Sequence, residues 1–284
     1  MKYKMSELVK LLKPPTIRFV DHIVYLILCF LTIFLVIPYS LIYKKLILKS
    51  IAPIFVRLMF KDLIIQHKGA KFIARKNKSD IIVLSELYEP WMEKYFKPKE
   101  GDIVIDVGAH VGKYTLYAAK LVGSNGKVIA IEANPDNYEQ LLKNIKLNNF
   151  NNILSYNYVI TNEDFVKCKC INPNSKDDAV FSFTKDDEGN IIGRTIDSIL
   201  YENKIQKVDW VKIDVEGKEV EVLQGMTETI KNSKNLKILI EVWDTNEKKV
   251  REILQNFHEI IVNEYPEYGY KVKLYIKSDN YVQS

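Results

Sequence analysis

The sequence predicts an α/β fold, an open and mostly parallel sheet with helices on both faces, preceded by an N-terminal hydrophobic helical segment. Three observations carry that reading. Apolar, β-branched runs recur at 102–107, 127–133 and 209–215, and each delivers a carboxylate at or near its end: Asp106, Glu132 and Asp214. Each run is followed by a turn signal and a helical pattern, the signature of repeated βα units. Charge then divides the chain: residues 1–78 hold 15 Lys and Arg against 3 Asp and Glu, whereas residues 79–284 hold 26 against 33. Two parts are therefore expected, a basic leader over 1–68 and the α/β domain over 69–284.

With 47% hydrophobic and 27% charged residues the chain is expected to fold around a core. The acidic balance of the larger part argues against a nucleic-acid groove, which leans on clustered Lys and Arg. Three cysteines make no disulfide framework and match no zinc spacing, so no metal ligand is assigned. In the leader, Ile23 to Tyr43 is uncharged for 21 residues, enough to cross a bilayer with some tilt. Pro38 near its end keeps open a helix lying at the headgroups or buried in protein. Membrane contact through residues 20–60 is expected. Basic residues continue to Lys78, which favours a cytoplasmic catalytic domain.

From Gly69 the chain reads as a strand or hairpin, then a short helix near 88–96, punctuated by Pro98 and Gly101. The strand at 102–107 runs into the turn Gly108-Ala109-His110-Val111-Gly112, and a helix follows from Lys113 to Leu121. Gly-Ser-Asn-Gly at 123–126 stops it. After the strand 127–133, Asn134 caps a helix with Pro135 in its first turn, reaching Asn148. A third strand is predicted over 152–160, a hairpin between 165 and 184, a helix over 195–201 and a fourth strand over 209–215. Gly217 opens a helix to about Ile230; a strand over 237–243, a helix over 246–257 and strands over 259–265 and 273–278 complete the chain.

In such a sheet the ligand lies beyond the carboxyl ends of the strands, where the strand order reverses. Asp106, Glu132 and Asp214 are expected to gather there, with Glu241 as a fourth acid. A carboxylate closing the second strand can accept hydrogen bonds from both hydroxyls of a ribose. Glycines at 108 and 112 are expected to let a ligand approach the backbone. The turn is not Gly-x-Gly-x-x-Gly, because Ala109-His110 crowds the place where a pyrophosphate would sit, and the chain has no Gly-Lys-Ser/Thr loop. A ribose-bearing cofactor without phosphates, S-adenosylmethionine, fits better.

Asp-Val-Gly-Ala-His-Val-Gly-Lys-Tyr-Thr-Leu at 106–116, Glu-Ala-Asn-Pro at 132–135 and Val-Lys-Ile-Asp-Val-Glu-Gly-Lys-Glu at 211–219 together resemble the FkbM family of S-adenosylmethionine-dependent methyltransferases. The resemblance covers about residues 69–265. It implies a Rossmann-like class I methyltransferase fold, seven strands with the last pair antiparallel, and methyl transfer to a hydroxyl oxygen of a glycan, lipid-linked sugar or other small molecule. By position it implies cofactor contacts from Asp106, the turn Gly108, Ala109 and Gly112, and the ribose acid Glu132. Asp214 and Glu216 match the acids near the transferred methyl. The adenine contact falls to the turn Thr161–Asp164, which offers no single clear match; Asn162 is taken as its candidate. An alcohol acceptor must lose a proton, for which Asp214, Glu216 and His110 are the candidate acceptors. His110 can equally be a packed turn residue, and Asp214 and Glu216 can instead cap the following helix. A catalytically inactive nucleoside-binding scaffold at a membrane is the competing reading.

Overall fold

The computed structural model describes residues 16, 18–29, 56–86, 88–171 and 182–277. They fall into two compact units, 1–90 and 91–284. In the first, residues 19–29 are helical, and strands β1 (Leu63–His67) and β2 (Ala70–Ala74) pair as an antiparallel hairpin. The boundary expected after residue 68 falls inside that hairpin. Asp21, fully buried, accepts hydrogen bonds from Arg18, Lys61 and the Ile64 amide, which ties the helix to the start of β1. Most of the uncharged run Ile23–Tyr43 lies outside the described residues. Among the described residues no helix is long and apolar enough to cross a membrane.

The second unit is built on a seven-stranded sheet. After helix α1 (Met92–Tyr95) come β3 (Ile103–Val107), α2 (Lys113–Val122), β4 (Lys127–Ile131), α3 (Pro135–Asn148) and β5 (Ile153–Tyr156). A separate sheet then forms from β6 (Val159–Ile160), β7 (Val166–Ile171), β8 (Ser182–Lys185) and β9 (Ile191–Arg194). The main sheet resumes with α4 (Ile196–Glu202), β10 (Trp210–Ile213), α5 (Glu219–Gln224), α6 (Thr227–Asn232), β11 (Lys237–Trp243), α7 (Glu247–Ile253), β12 (Phe257–Tyr265) and β13 (Tyr270–Lys277). Its order is β12-β13-β11-β10-β3-β4-β5, with β13 antiparallel to both neighbours and the other pairings parallel.

Alternation along the strands separates two cores. Ile105, Ile129, Val211, Ile238 and Ile240 pack with Ile196, Ile199, Val222 and Leu223 on one face. Val104, Val128, Trp210 and Leu239 pack with Phe96, Tyr114, Ala118 and Val122 on the other. Asp106 and Lys212 follow Val104 and Trp210 by two residues, and they are register partners across β3 and β10. They are thereby placed on the face that α2 covers.

Three predicted elements differ from the structure for identifiable reasons. The strand expected over 152–160 breaks at Asn157, whose side chain donates to the carbonyls of Glu132 and Ala133, and its second half joins the separate sheet. The hairpin expected between 165 and 184 is present as β7 and β8, but β6 and β9 extend it to four strands. The helix expected from Gly217 to Ile230 is two short helices, because Asp197 accepts the amides of Glu228 and Thr229 and so caps a new start.

Candidate active site

The order of the sheet reverses between β3 and β10, the two strands from which the chain winds outward in opposite directions. The turn after β3 is closed by its own sheet. The amides of Gly108 and Ala109 both donate to the Ile131 carbonyl, that of Gly112 to Ala109, and that of His110 to Glu132 Oε2 at 2.7 Å. These four amides are committed. A loop that binds phosphate needs such groups to face the ligand, so this turn is not one.

The glycines serve packing where ligand approach was expected. A Cβ on Gly108 would lie 1.9 Å from the Asp214 carbonyl oxygen, and one on Gly112 would lie 2.7 Å from Leu141 Cδ1. Ala109 packs with Ala130 and Leu141. His110 takes a left-handed φ of +50°, which aims its amide at Glu132.

The acids differ in exposure. Asp106 is 1% exposed; Oδ2 accepts from Thr115 at 2.6 Å, while Oδ1 has no hydrogen-bond partner. Burial pushes its carboxyl up, against the pull of Lys212 and Thr115. Glu132 lies just past β4 and accepts the amides of His110 and Asn134 on its two oxygens, each of which keeps a second lone pair. Burial raises it to about 7 against those two amides. Asp214, whose side chain is 35% exposed, follows β10, and its amide donates to Val107. Neither Asp214 nor Glu216 caps the next helix. Instead the buried Glu219 accepts the Gly217 amide on Oε1 and the Asn246 side chain on Oε2, which fixes the Gly217 loop. Asp214, Glu216 and Glu241 bring carboxylate oxygens within 4.8 Å of one another, an arrangement common in exposed acids without an ion, and no metal is assigned.

Sequence reasoning quoted Lys212 within its motif but gave it no role. Its ammonium donates to the Gly108 carbonyl at 3.1 Å and lies 3.2 Å from Asp214 Oδ2 and 3.7 Å from Asp106 Oδ1. The signal was available, since a lysine in the middle of a fully buried strand must be paired.

Asn162 is exposed and donates to Gln224. With Lys185, Gly217, Gln224 and Asn246 it lines a cleft of about 390 Å³ beyond the end of β10. Asp164 of the same turn is structural: it accepts from the Thr195 amide, Thr195 Oγ1, Ser198 Oγ and Arg194 Nε. Partial burial pushes its carboxyl up, but the bonds from Ser198, Thr195 and Arg194 win and hold it at about 2. Such a group adds stability above the ordinary value and loses it as pH falls through about 2. Asp164→Ala is expected to cost about 2 kcal/mol at neutral pH, with the gap to wild type closing below about pH 3 in urea unfolding.

A family profile described as "Methyltransferase FkbM domain" matches residues 106–272, more than half of the chain. The chain belongs to the FkbM methyltransferase family. As an FkbM domain it takes S-adenosylmethionine as its cofactor, and the residues present fit that molecule. Glu132 keeps a lone pair on each oxygen for a ribose diol, and the part-exposed Asp214 carboxylate favours a sulfonium cation over a pyrophosphate. The FkbM chain is also 30% identical over 137 residues to "Hexuronic acid methyltransferase AglP" of Haloferax volcanii, a match covering 47% of this chain and 54% of that protein. It thus spans about half the length of that relative. Among solved structures it is similar to M. jannaschii TYW2 in complex with AdoMet, with 16% identity, 76% of this chain and 84% of that chain covered, and a TM-score of 0.45. Precorrin-6y C5,15-methyltransferase of Geobacter metallireducens GS-15 matches at 14% identity, 69% and 88% coverage, and a TM-score of 0.43.

Proposed function

We propose that the protein methylates a hydroxyl oxygen of a glycan, lipid-linked sugar or other hydroxylated small molecule. The observation that carries the reading is that Lys212 lies against both Asp106 and Asp214, while Glu132 accepts the His110 amide of the turn after β3, so three acids stand about the β3–β10 reversal. The hexuronic acid named for the Haloferax relative supports a sugar acceptor. When bound, S-adenosylmethionine supplies the methyl group on a sulfonium leaving group. Glu132 holds the ribose hydroxyls, the acids contribute negative charge that favours the cation, and the cleft beyond Gly217 takes the acceptor. An acceptor hydroxyl would have to give up its proton to a base of this chain as it took the methyl group. Asp214 is the first choice, with Glu216 and the His110 imidazole as alternatives. These residues would contribute to the rate chiefly by holding acceptor and cofactor in position.

A membrane position for residues 20–60, with the catalytic unit on the cytoplasmic side, belongs to the same reading. It is supported by the basic excess of the leader and by the helix at 19–29, which exposes Phe19, Val20, Ile23, Leu26 and Ile27 while burying Val24, Tyr25 and Leu28. Deleting residues 1–60 is expected to move the protein from the membrane to the soluble fraction; an unchanged distribution removes that part of the proposal.

The decisive experiment supplies purified protein with methyl-labelled S-adenosylmethionine and fractionated cell extract, and identifies the labelled product by mass spectrometry. An O-methylated sugar is expected. Cofactor binding with no label transferred to any fraction would instead favour the inactive scaffold.

A further inference from the structure

We propose that Lys212 is a positioning residue of this site, its buried ammonium tying the Asp106 and Asp214 carboxylates to the Gly108 carbonyl so that turn and acids are held as one charged unit. The proposal rests on the cofactor reading above. One cation here serves three groups, one in β3, one in the turn after it and one just past β10: Gly108 O at 3.1 Å, Asp214 Oδ2 at 3.2 Å and Asp106 Oδ1 at 3.7 Å. Its side chain is 8% exposed and lies 5.1 Å from the Tyr114 ring centroid, so α2 closes it from above. Asp106 meets the hydroxyl of Thr115 on its other oxygen, and no hydrogen-bond donor reaches Oδ1. Lys212 is thus the cation that neutralises it.

The groups acting on Asp106 are Lys212 and Asp214 from β10 and the loop after it, Thr115 from α2, and Glu132 from the end of β4. Without the ammonium, Asp106 would sit in the interior beside the Asp214 and Glu132 carboxyls with no cation against it. It would take up a proton, and Asp214 would lose the contact that fixes it beside the turn. The site would then present less negative charge to a sulfonium cation. A lysine that only filled space would leave the protonation of Asp106 unchanged.

The test follows the Asp106 carboxyl carbon by NMR in protein free of cofactor, alongside titration calorimetry with S-adenosylmethionine. Lys212→Met is expected to raise the pH at which the Asp106 carboxyl titrates, because the ammonium no longer opposes the effect of burial. Affinity should fall roughly tenfold at about pH 6 in Lys212→Met and return to within about threefold in Lys212→Arg. A wild-type Asp106 that is protonated at neutral pH overturns the proposal without any variant, which keeps it testable if Lys212→Met fails to fold. An Asp106 that titrates at the same pH in Lys212→Met as in wild type overturns it as well. Failure of wild type to bind S-adenosylmethionine overturns the cofactor reading, a separate result.

Discussion

Gly108→Ala is expected to abolish measurable cofactor binding and to cost about 3 to 5 kcal/mol of stability in denaturant unfolding. Two costs act at this position. Gly108 has φ +78°, which a side chain tolerates at about 1 to 2 kcal/mol. A Cβ there would also come within 1.9 Å of the Asp214 carbonyl oxygen and 3.0 Å of its carbonyl carbon. Backbone cannot rotate away as a flexible side chain can, so β3 and the segment after β10 would have to separate. That separation would pull the Gly108 carbonyl from Lys212 and the Val107 carbonyl from the Asp214 amide. Gly217 is the control: its φ is +96°, yet nothing lies within 4 Å of a Cβ placed there. Gly217→Ala should show the conformational cost alone, about 1 to 2 kcal/mol. If the two variants lose equal stability, the close approach of Gly108 to Asp214 is not what makes glycine necessary.

The parallel sheet was legible because β3, β4, β10 and β11 are mostly apolar, largely β-branched runs. Asn134 and Pro135 marked the start of α3, and the structure has Asn134 accepting the amides of Asp136 and Asn137. What stayed hidden depended on partners distant in sequence. Whether Gly108 admits a ligand or another segment of chain is decided by Asp214, 106 positions later. The break at Gly225 reflects a cap supplied by Asp197 from a different helix. The tie between Asp106 and Lys212 needed the register of β3 against β10, which no local pattern encodes. The acids were readable as types and spacing, whereas their burial was not. That is why Asp106, expected to meet the ligand, is found beneath the turn with 1% exposure.

Glu132 should show cofactor affinity and fold stability moving in opposite directions with pH. Its carboxyl is raised from an ordinary 4.5 to about 7, chiefly by burial. Between those values the folded protein holds a proton that the unfolded chain has released, so this group's contribution to stability is complete below 4.5 and is lost as pH rises through about 7. The loss is on the order of 3 kcal/mol, read as a falling urea midpoint in protein free of cofactor. Over the same interval the carboxylate becomes the better acceptor for two ribose hydroxyls, so affinity for S-adenosylmethionine should rise. Glu132→Gln has one acceptor oxygen for two backbone amides, and its NH2 group would face either His110 or Asn134. It is expected to weaken binding by about 3 kcal/mol, roughly a hundredfold, at about pH 8. At about pH 5.5 wild type is itself largely protonated, and the gap should narrow below tenfold. A gap of the same size at both pH values would mean that Glu132 acts through the two amides it anchors and not through the charge it presents to the ribose. The cofactor, bound to the ionised form, would then restore none of the stability lost on ionisation.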